Sequence, residues 1–321
     1  MTTFKEIRGT AVRSLSSDPT NPETGQLWYN NSIGVLKGYQ LVAAAWASGG
    51  NMNTARRQLG GAGIQTSGLA FGGLTTVASN ATEEYDGSAW AAGGNMGTAR
   101  FGLAGAGTQT SGLGFGGFSG TNLASTEEYD GSAWAGGGNL GTARIDLAGC
   151  GTQTAGLGFG GYSTTIIANT EEYDGSAWTA GGNMATARRA LAGAGTQTVG
   201  LAFGGTTGTI TTATEEYDGS AWTSGGSLNT ARRRLAGCGT QTAALAFGGS
   251  VPSVETNVTE EYNGSSWTNS TNLGTARYSL AGAGTQTAGL GFGGYTPGIG
   301  NRGVTEEFTG AALAVKTVTT S

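Results

Sequence analysis

The chain has 321 residues, 63 of them glycine, with 12% charged residues, a net charge of −5 and no histidine. Without imidazole the usual general base, the Ser-His-Asp and Cys-His arrangements and most zinc and copper sites are removed. The absence of a Lys/Arg stripe argues against phosphate-driven nucleic-acid binding, and no apolar run approaches the ~18 residues of a membrane-spanning helix, so membrane insertion is not expected.

Residues 1–35 stand outside the pattern that fills the rest of the chain. The opening MTTFKEIRGTAVRSLSSDP lacks the apolar stretch of a secretory signal, so synthesis in the cytoplasm is expected. Further on, QLWYN and VLKGYQ flank Asn31-Ser32-Ile33-Gly34, which predicts a β-hairpin. The expected organisation is an N-terminal attachment segment (1–35), a repeat domain (36–316) and a short tail (317–321).

A period of 44 to 45 residues then takes over. Trp46, Trp90, Trp134, Trp178, Trp222 and Trp267 mark it, and FGG and TAR each recur six times. One unit, TARRALAGAGTQTVGLAFGGTTGTITTATEEYDGSAWTSGG (186–226), has no 3.6-residue apolar stripe and too much glycine for a helix. It divides into four short strands. Strand a is about RALAGAG and strand b about VGLAFGG, joined at T-Q-T; strand c is about TEEYD and strand d about SAWTS, joined at Asp-Gly. Four strands in about 44 residues, repeated, predict an all-β fold: a six-bladed β-propeller of four-stranded antiparallel blades. Small Ala and Gly suit a crowded inner strand, and Trp suits the outer strand, where blades diverge.

Trp46 arrives with no a and b strands before it, and Leu313 stands where the last unit should have Trp. The Trp46 strand is therefore expected to complete the last blade, so that the N- and C-terminal strands pair and close the ring. The alternative is that 312–316 is the sixth outer strand. Cys150 and Cys238 stand two repeats apart in GCG, where other units have GAG, and are expected to be free thiols.

A Gly-Gly doublet ending strand b, followed by Tyr and Trp, resembles the kelch motif: Gly204-Gly205, Tyr217 and Trp222 match it, as do their equivalents over about 36–313. The resemblance implies a propeller but no particular function.

Reversal of direction at each strand puts the a–b and c–d turns on one face and the b–c and d–a loops on the other. The first set barely varies. The b–c loops differ completely, from LTTVASNA (74–81) to YTPGIGNRGV (295–304). Loops on a rigid scaffold are where recognition tends to sit, so Phe118, Tyr162, Tyr295 and Arg302 are the candidate ligand-binding residues. The aromatic ones either stack on sugar rings or cover the blade ends. Two carboxylates together are what a glycosidase needs, but Glu-Glu is written six times and an enzyme needs its pair once. Arg56, Arg100, Arg144, Arg188, Arg232 and Arg277 are therefore expected to pair with Glu83, Glu127, Glu171, Glu215, Glu260, Glu306 and their neighbours to hold register. The alternative is a ring of arginines around an anionic ligand. The sialidase Asp box is similar to Asp86-Gly87-Ser88-Ala89-Trp90 but one residue longer, so an enzyme is not expected, nor is any cofactor or metal.

The segment DPTNPETGQLWYNNSIGVLKGYQ (18–40) and the near-identical Gly/Thr/Ser-rich repeats, ending in TEEFTG and a Thr/Ser tail, resemble uncharacterised bacteriophage virion and tail-fibre proteins. That resemblance implies a surface-exposed virion component. It would be attached to other virion proteins through the N-terminal segment and would present its variable face to a host-surface glycan or receptor. The alternative is a purely structural virion or scaffold protein.

Overall fold

A computed structural model describes residues 12–252 and 254–318, and among these every regular element is a β-strand. The chain forms two compact units, one spanning Met1–Ala44 with Gly310–Ser321 and the other Ala45–Thr309. The division differs from the expected 36 and 316 because Val35–Val42 pairs with Ala312–Thr317, from Lys37 opposite Thr317 to Val42 opposite Ala312. Both stretches thereby leave the repeat region. Residues 1–11 of the expected attachment segment and 319–321 of the tail lie outside the described residues.

In the smaller unit Leu27–Asn30 and Val35–Val42 form a hairpin across Asn31–Gly34, and Arg13–Leu15 adds in parallel. Trp28 is its buried centre, 4.8 Å from the Tyr39 ring. The Trp28 indole N–H and the Lys37 ammonium both donate to Asp18 Oδ1, at 3.2 and 2.9 Å. Lys37 foremost holds the Asp18 carboxyl below its ordinary range.

In the larger unit each repeat becomes one four-stranded antiparallel sheet. The first consists of strands a (Gly60–Ile64), b (Ser67–Phe71), c (Thr82–Tyr85) and d (Trp90–Ala92). Four more follow the same order. The last sheet takes Ala281–Gly284, Ala288–Phe292 and Thr305–Thr309 from the end of the repeats and Ala45–Ser48 from their beginning, with Trp46 opposite Phe308. The Trp46 strand is thus the outer strand of that sheet, and 312–316 belongs to the other unit. Among the described residues no ladder joins one sheet to the next. Instead the a strands lie side by side in a cycle, Gly60–Ile64 against Ala104–Gly107 and so on to Ala281–Gly284, which returns to Gly60–Ile64. The arrangement is propeller-like.

Apolar layers lie between sheets. Ala62, Leu69 and Phe71 of the first sheet pack with Leu103 and Tyr129 of the second, with Met96 between them and Trp134 against the edge. The glycine doublet explains the close approach: Gly72 and Gly73 have φ of 64° and 101°, open chiefly to glycine, and Gly73 N–H donates to Arg100 O of the next sheet at 2.8 Å. The same bond recurs at all six junctions, ending with Gly294 to Arg56.

Three side-chain devices repeat beside it. Each Trp indole N–H donates to a Thr hydroxyl of the preceding sheet, as Trp134 does to Thr82 and Trp90 to Thr305. Each turn Gln reaches two carbonyls of the preceding sheet: Gln109 those of Gly68 and Tyr85, and Gln65, across the closure, those of Gly289 and Phe308. Tyr85, Tyr129, Tyr173, Tyr217 and Tyr262 donate to the second glutamate of the preceding sheet.

The sixth tyrosine position is Phe308, which has no hydroxyl to offer Glu261. There Ser270 stands where the other sheets have glycine, and its Oγ donates to Glu261. At Gly225, the equivalent position one sheet earlier, a Cβ would come within 2.8 Å of the Tyr262 hydroxyl. Ser270 fits because Phe308 lacks that oxygen. Phe308→Tyr and Ser270→Gly should each destabilise singly, while the double variant should recover most of the loss. A coupling of roughly 0.5–3 kcal/mol is expected by denaturant unfolding of the four proteins, and simple additivity would contradict the account.

Burial first, then the neighbouring carboxylate, pushes these five tyrosines from 10.0 up to about 12. A group whose pKa rises on folding favours the folded state below its unfolded value and stops doing so as the pH climbs to its folded value. Thermal stability should therefore fall between pH 10 and 12. Replacing Tyr129 and Tyr173 by Phe should flatten that fall; an unchanged slope would refute the assignment.

Candidate functional site

Glu-Glu on a strand points its two side chains to opposite faces, and the two acids have different partners. The first turns to its own sheet. Arg56 Nη2 donates to Glu83 Oε1 at 2.9 Å, while Nη1 donates to the carbonyls of Gly72 and Ala81. The remaining capacity of Glu83 is taken by the backbone N–H groups of Asn53 and Thr54. Arg100–Glu127, Arg144–Glu171, Arg188–Glu215, Arg232–Glu260 and Arg277–Glu306 repeat the pair. All six arginine side chains are 0% exposed. Burial pulls the Arg56 guanidinium pKa down and Glu83 pulls it back up. The anion-binding ring of these arginines is thus not formed: no guanidinium of the set reaches the surface. Each repeat tryptophan lies near an aromatic ring of the preceding sheet, as Trp90 does to Phe292 at 5.0 Å.

The variable face holds the other candidates. Phe118, Tyr162 and Tyr295 open their loops and bridge to Phe101, Ile145 and Tyr278, the residues that follow the TAR arginine. All three are half-buried. Phe118 lies against Phe101 at 5.5 Å and Tyr295 against Tyr278 at 5.4 Å. Arg189 of the next sheet lies over the Tyr162 ring at 4.9 Å, and Arg57 over Tyr295 at 4.6 Å. Arginines, rather than open solvent, therefore occupy a face of both tyrosines. Arg302 is tied in through its backbone, to Gly294 O and Arg56 N, and its side chain has no hydrogen-bond or ion-pair partner among the described residues.

The most unusual geometry of this face lies at its axis, at residues that the sequence reading passed over. Gly102 N–H donates to Gln58 O, Asp146 to Gly102, Ala190 to Asp146, Arg234 to Ala190, Ser279 to Arg234 and Gln58 to Ser279, all at 2.7–2.9 Å. These six bonds form a closed ring. Every member has a left-handed backbone, with φ of 51–57° at the five that are not glycine, where an L-residue costs roughly 1–2 kcal/mol. Glycine would suit each, yet only Gly102 has it. Asp146 accepts from Gln58 Nε2 at 3.2 Å. A cavity of about 80 Å³ opens among these side chains above the leucine ring that includes Leu59 and Leu147. A second cavity, of about 160 Å³, lies beside it between Arg233, Arg234, Tyr278, Glu255 and Pro297. The signal was present in the sequence. Between the TAR arginine and the next Leu the units read RQ, FG, ID, RA, RR and YS, while both flanks are constant.

No family model matches the chain, and no curated protein matches it. Many solved structures are similar in fold. One, titled "Structure of YjhT", aligns with a TM-score of 0.70 over 82% of this chain and 99% of that one, at 13% sequence identity. At that identity the likeness shows the fold alone: repeated four-stranded sheets in a propeller-like arrangement.

Ala190 is the axial position with least side chain to lose. Ala190→Gly should raise stability by about 0.5–1 kcal/mol in urea unfolding, because relief at φ 53° exceeds the added chain entropy of glycine. A loss of stability would mean that the ring does not impose this conformation.

Proposed function

We propose that the larger unit is a six-bladed β-propeller of kelch-like repeats and that the chain is a non-enzymatic recognition component of a phage virion. The smaller unit attaches it to other virion proteins, and the face of b–c loops meets a host-surface glycan or receptor. The observation that carries this reading is where the repeats differ. The inter-sheet Trp–Thr and Gln–carbonyl bonds and the buried Arg–Glu pairs recur round the whole unit. The b–c loops and the axial positions do not repeat at all. A scaffold held constant beneath a surface that varies is the pattern of a binding module. For attachment, the smaller unit exposes Ile33, Leu41 and Val42 at 61%, 55% and 43%, apolar surface suited to a protein neighbour.

The carboxylate pairs support a non-catalytic reading. Both members of each Glu-Glu pair are spent on structural partners, the first on a buried arginine and the second on a neighbouring hydroxyl. The test is binding of the purified, labelled protein to host cells and to a glycan array, with mass spectrometry of purified particles. Wild type should bind, and Tyr162→Ala with Tyr295→Ala should reduce binding at least tenfold without unfolding the protein. Presence in particles without any host or glycan binding would make the chain a purely structural part. Release of reducing sugar from host polysaccharide would make it an enzyme.

A further inference from the structure

We infer that the axial mouth of the variable face, together with the adjoining cavity at Arg233, binds a hydroxylated carboxylate: an acidic sugar unit of a surface polysaccharide. This rests on the recognition reading above and names the ligand class of that surface.

Charge placement is the first ground. Residues 45–309 contain eleven arginines and no lysine. Six are buried in pairs with glutamate. The other five are Arg57, Arg189, Arg233, Arg234 and Arg302, and all belong to the variable face. Three of them adjoin an axial ring residue in sequence, and Arg234 is itself in the ring. The opposite face carries the exposed turn aspartates Asp86, Asp130, Asp174 and Asp218. A chain of net charge −5 has therefore gathered every spare cation of this unit on one side, which favours an anionic partner there.

The chemistry of the mouth narrows the class. Among the described residues the Arg233 and Arg234 guanidinium groups have no hydrogen-bond or ion-pair partner, and the Nε of each is buried without an acceptor. Arg234 lines both cavities and lies 5.7 Å from the Tyr278 ring. A carboxylate suits this free fork. Asp146 lines the axial cavity and Glu255 the neighbouring one, and both would repel a multiply charged phosphate or a polyanion. Their oxygens accept from hydroxyl groups instead. Gln58 donates to one Asp146 oxygen and so orients the carboxylate, leaving the other free for a ligand hydroxyl. The mouth thus offers one anion subsite, acceptors for hydroxyls and an aromatic ring alongside, the complement of a uronic-acid-like unit.

Backbone strain is independent support. Arg234 and Asp146 have φ of 53° and 55° in a ring where Gly102 shows that glycine is accommodated. Side chains kept in a conformation that glycine would adopt more readily point to a use for the side chains themselves.

The test uses D-glucuronate, a galacturonate trimer, D-glucose and inorganic phosphate as probes, with calorimetry and ligand-observed NMR on the full chain. Wild type should bind the two acidic saccharides, and bind neither glucose nor phosphate within tenfold of that affinity. Arg234→Gly removes the fork while suiting the backbone, so it should weaken binding at least tenfold with an unchanged or raised Tm. Asp146→Asn should narrow the preference for glucuronate over phosphate. Failure of both acidic saccharides to bind, equal binding of glucose, or unchanged binding by Arg234→Gly would each overturn the inference. The wider reading fails separately. Host-cell binding that survives Arg234→Gly but not the Tyr162 and Tyr295 changes would leave recognition standing and remove the axial site. Glucuronate binding through Arg234 without host-cell binding would do the reverse.

Discussion

The backbone hydrogen bond from each axial residue to the one before it is the constraint on which the larger unit depends. Six such bonds return to their starting point only if the turns from sheet to sheet add up to one full revolution. In a cycle of this kind a wedge of different width must be offset by the others. That is why the sequence is so nearly periodic: TAR, the Gly-Gly doublet, the Gln turn and the Trp each set one part of the same inter-sheet spacing. Gly73 and its equivalents bring the next sheet's backbone close, the Gln fixes the opposite face, and the Trp–Thr bond fixes the rim. Small, repeated and mutually consistent contacts of this type are how a unit of 44-residue repeats holds together without one large core.

Much of this was legible because it is local. Asp-Gly predicted the c–d hairpin, and Asp86 Oδ1 indeed accepts from Ser88 N–H and Ala89 N–H across that turn. The Trp interval predicted the repeat, and the missing last Trp predicted the partner of Trp46. The unit boundaries were not legible in the same way. Residues 36–42 run on from the hairpin as one strand, and only the distant strand Ala312–Thr317 draws them out of the repeat region. Glu-Glu was half legible. Pairing with arginine followed from composition, but that adjacent residues on a strand face different sheets became visible only once strand c had neighbours on both sides.

The candidate axial site was hidden for a related reason. The eye is drawn to loops that differ in length and composition, and Phe118, Tyr162, Tyr295 and Arg302 lie in such loops. Two varying letters inside TARxxL look like noise. Closure of the ring converts them into six different side chains around one axis, so positions far apart in the chain, such as Gln58 and Asp146, come within hydrogen-bond distance. Tyr162 and Tyr295 meanwhile acquire arginine partners from the next sheet, which ties the start of each loop to the axial segment. Recognition by this face would thus be a property of adjoining sheets rather than of single loops.

Divergence among the repeats follows the same geometry. Phe308 lacks the hydroxyl of the other five positions, and Ser270, in the facing sheet, offers one to the same Glu261. Cys150 and Cys238 replace alanine within the packed layer. Both are free, burial pushes both thiols up to about 12, and each Sγ lies 3.5 Å from a threonine carbonyl of the following sheet. Inside the unit the changes are small, as in Cys for Ala or Leu140 for Met96, and the Phe308 change is answered across the junction by Ser270. At the axial mouth and in the b–c loops changes are large, with Gln, Gly, Asp, Ala, Arg and Ser at equivalent axial places. Interior divergence is limited by the demand for closure, whereas divergence on this face is limited only by the neighbouring sheet that it meets. The junction between sheets, more than the sheet itself, is the element that this sequence preserves.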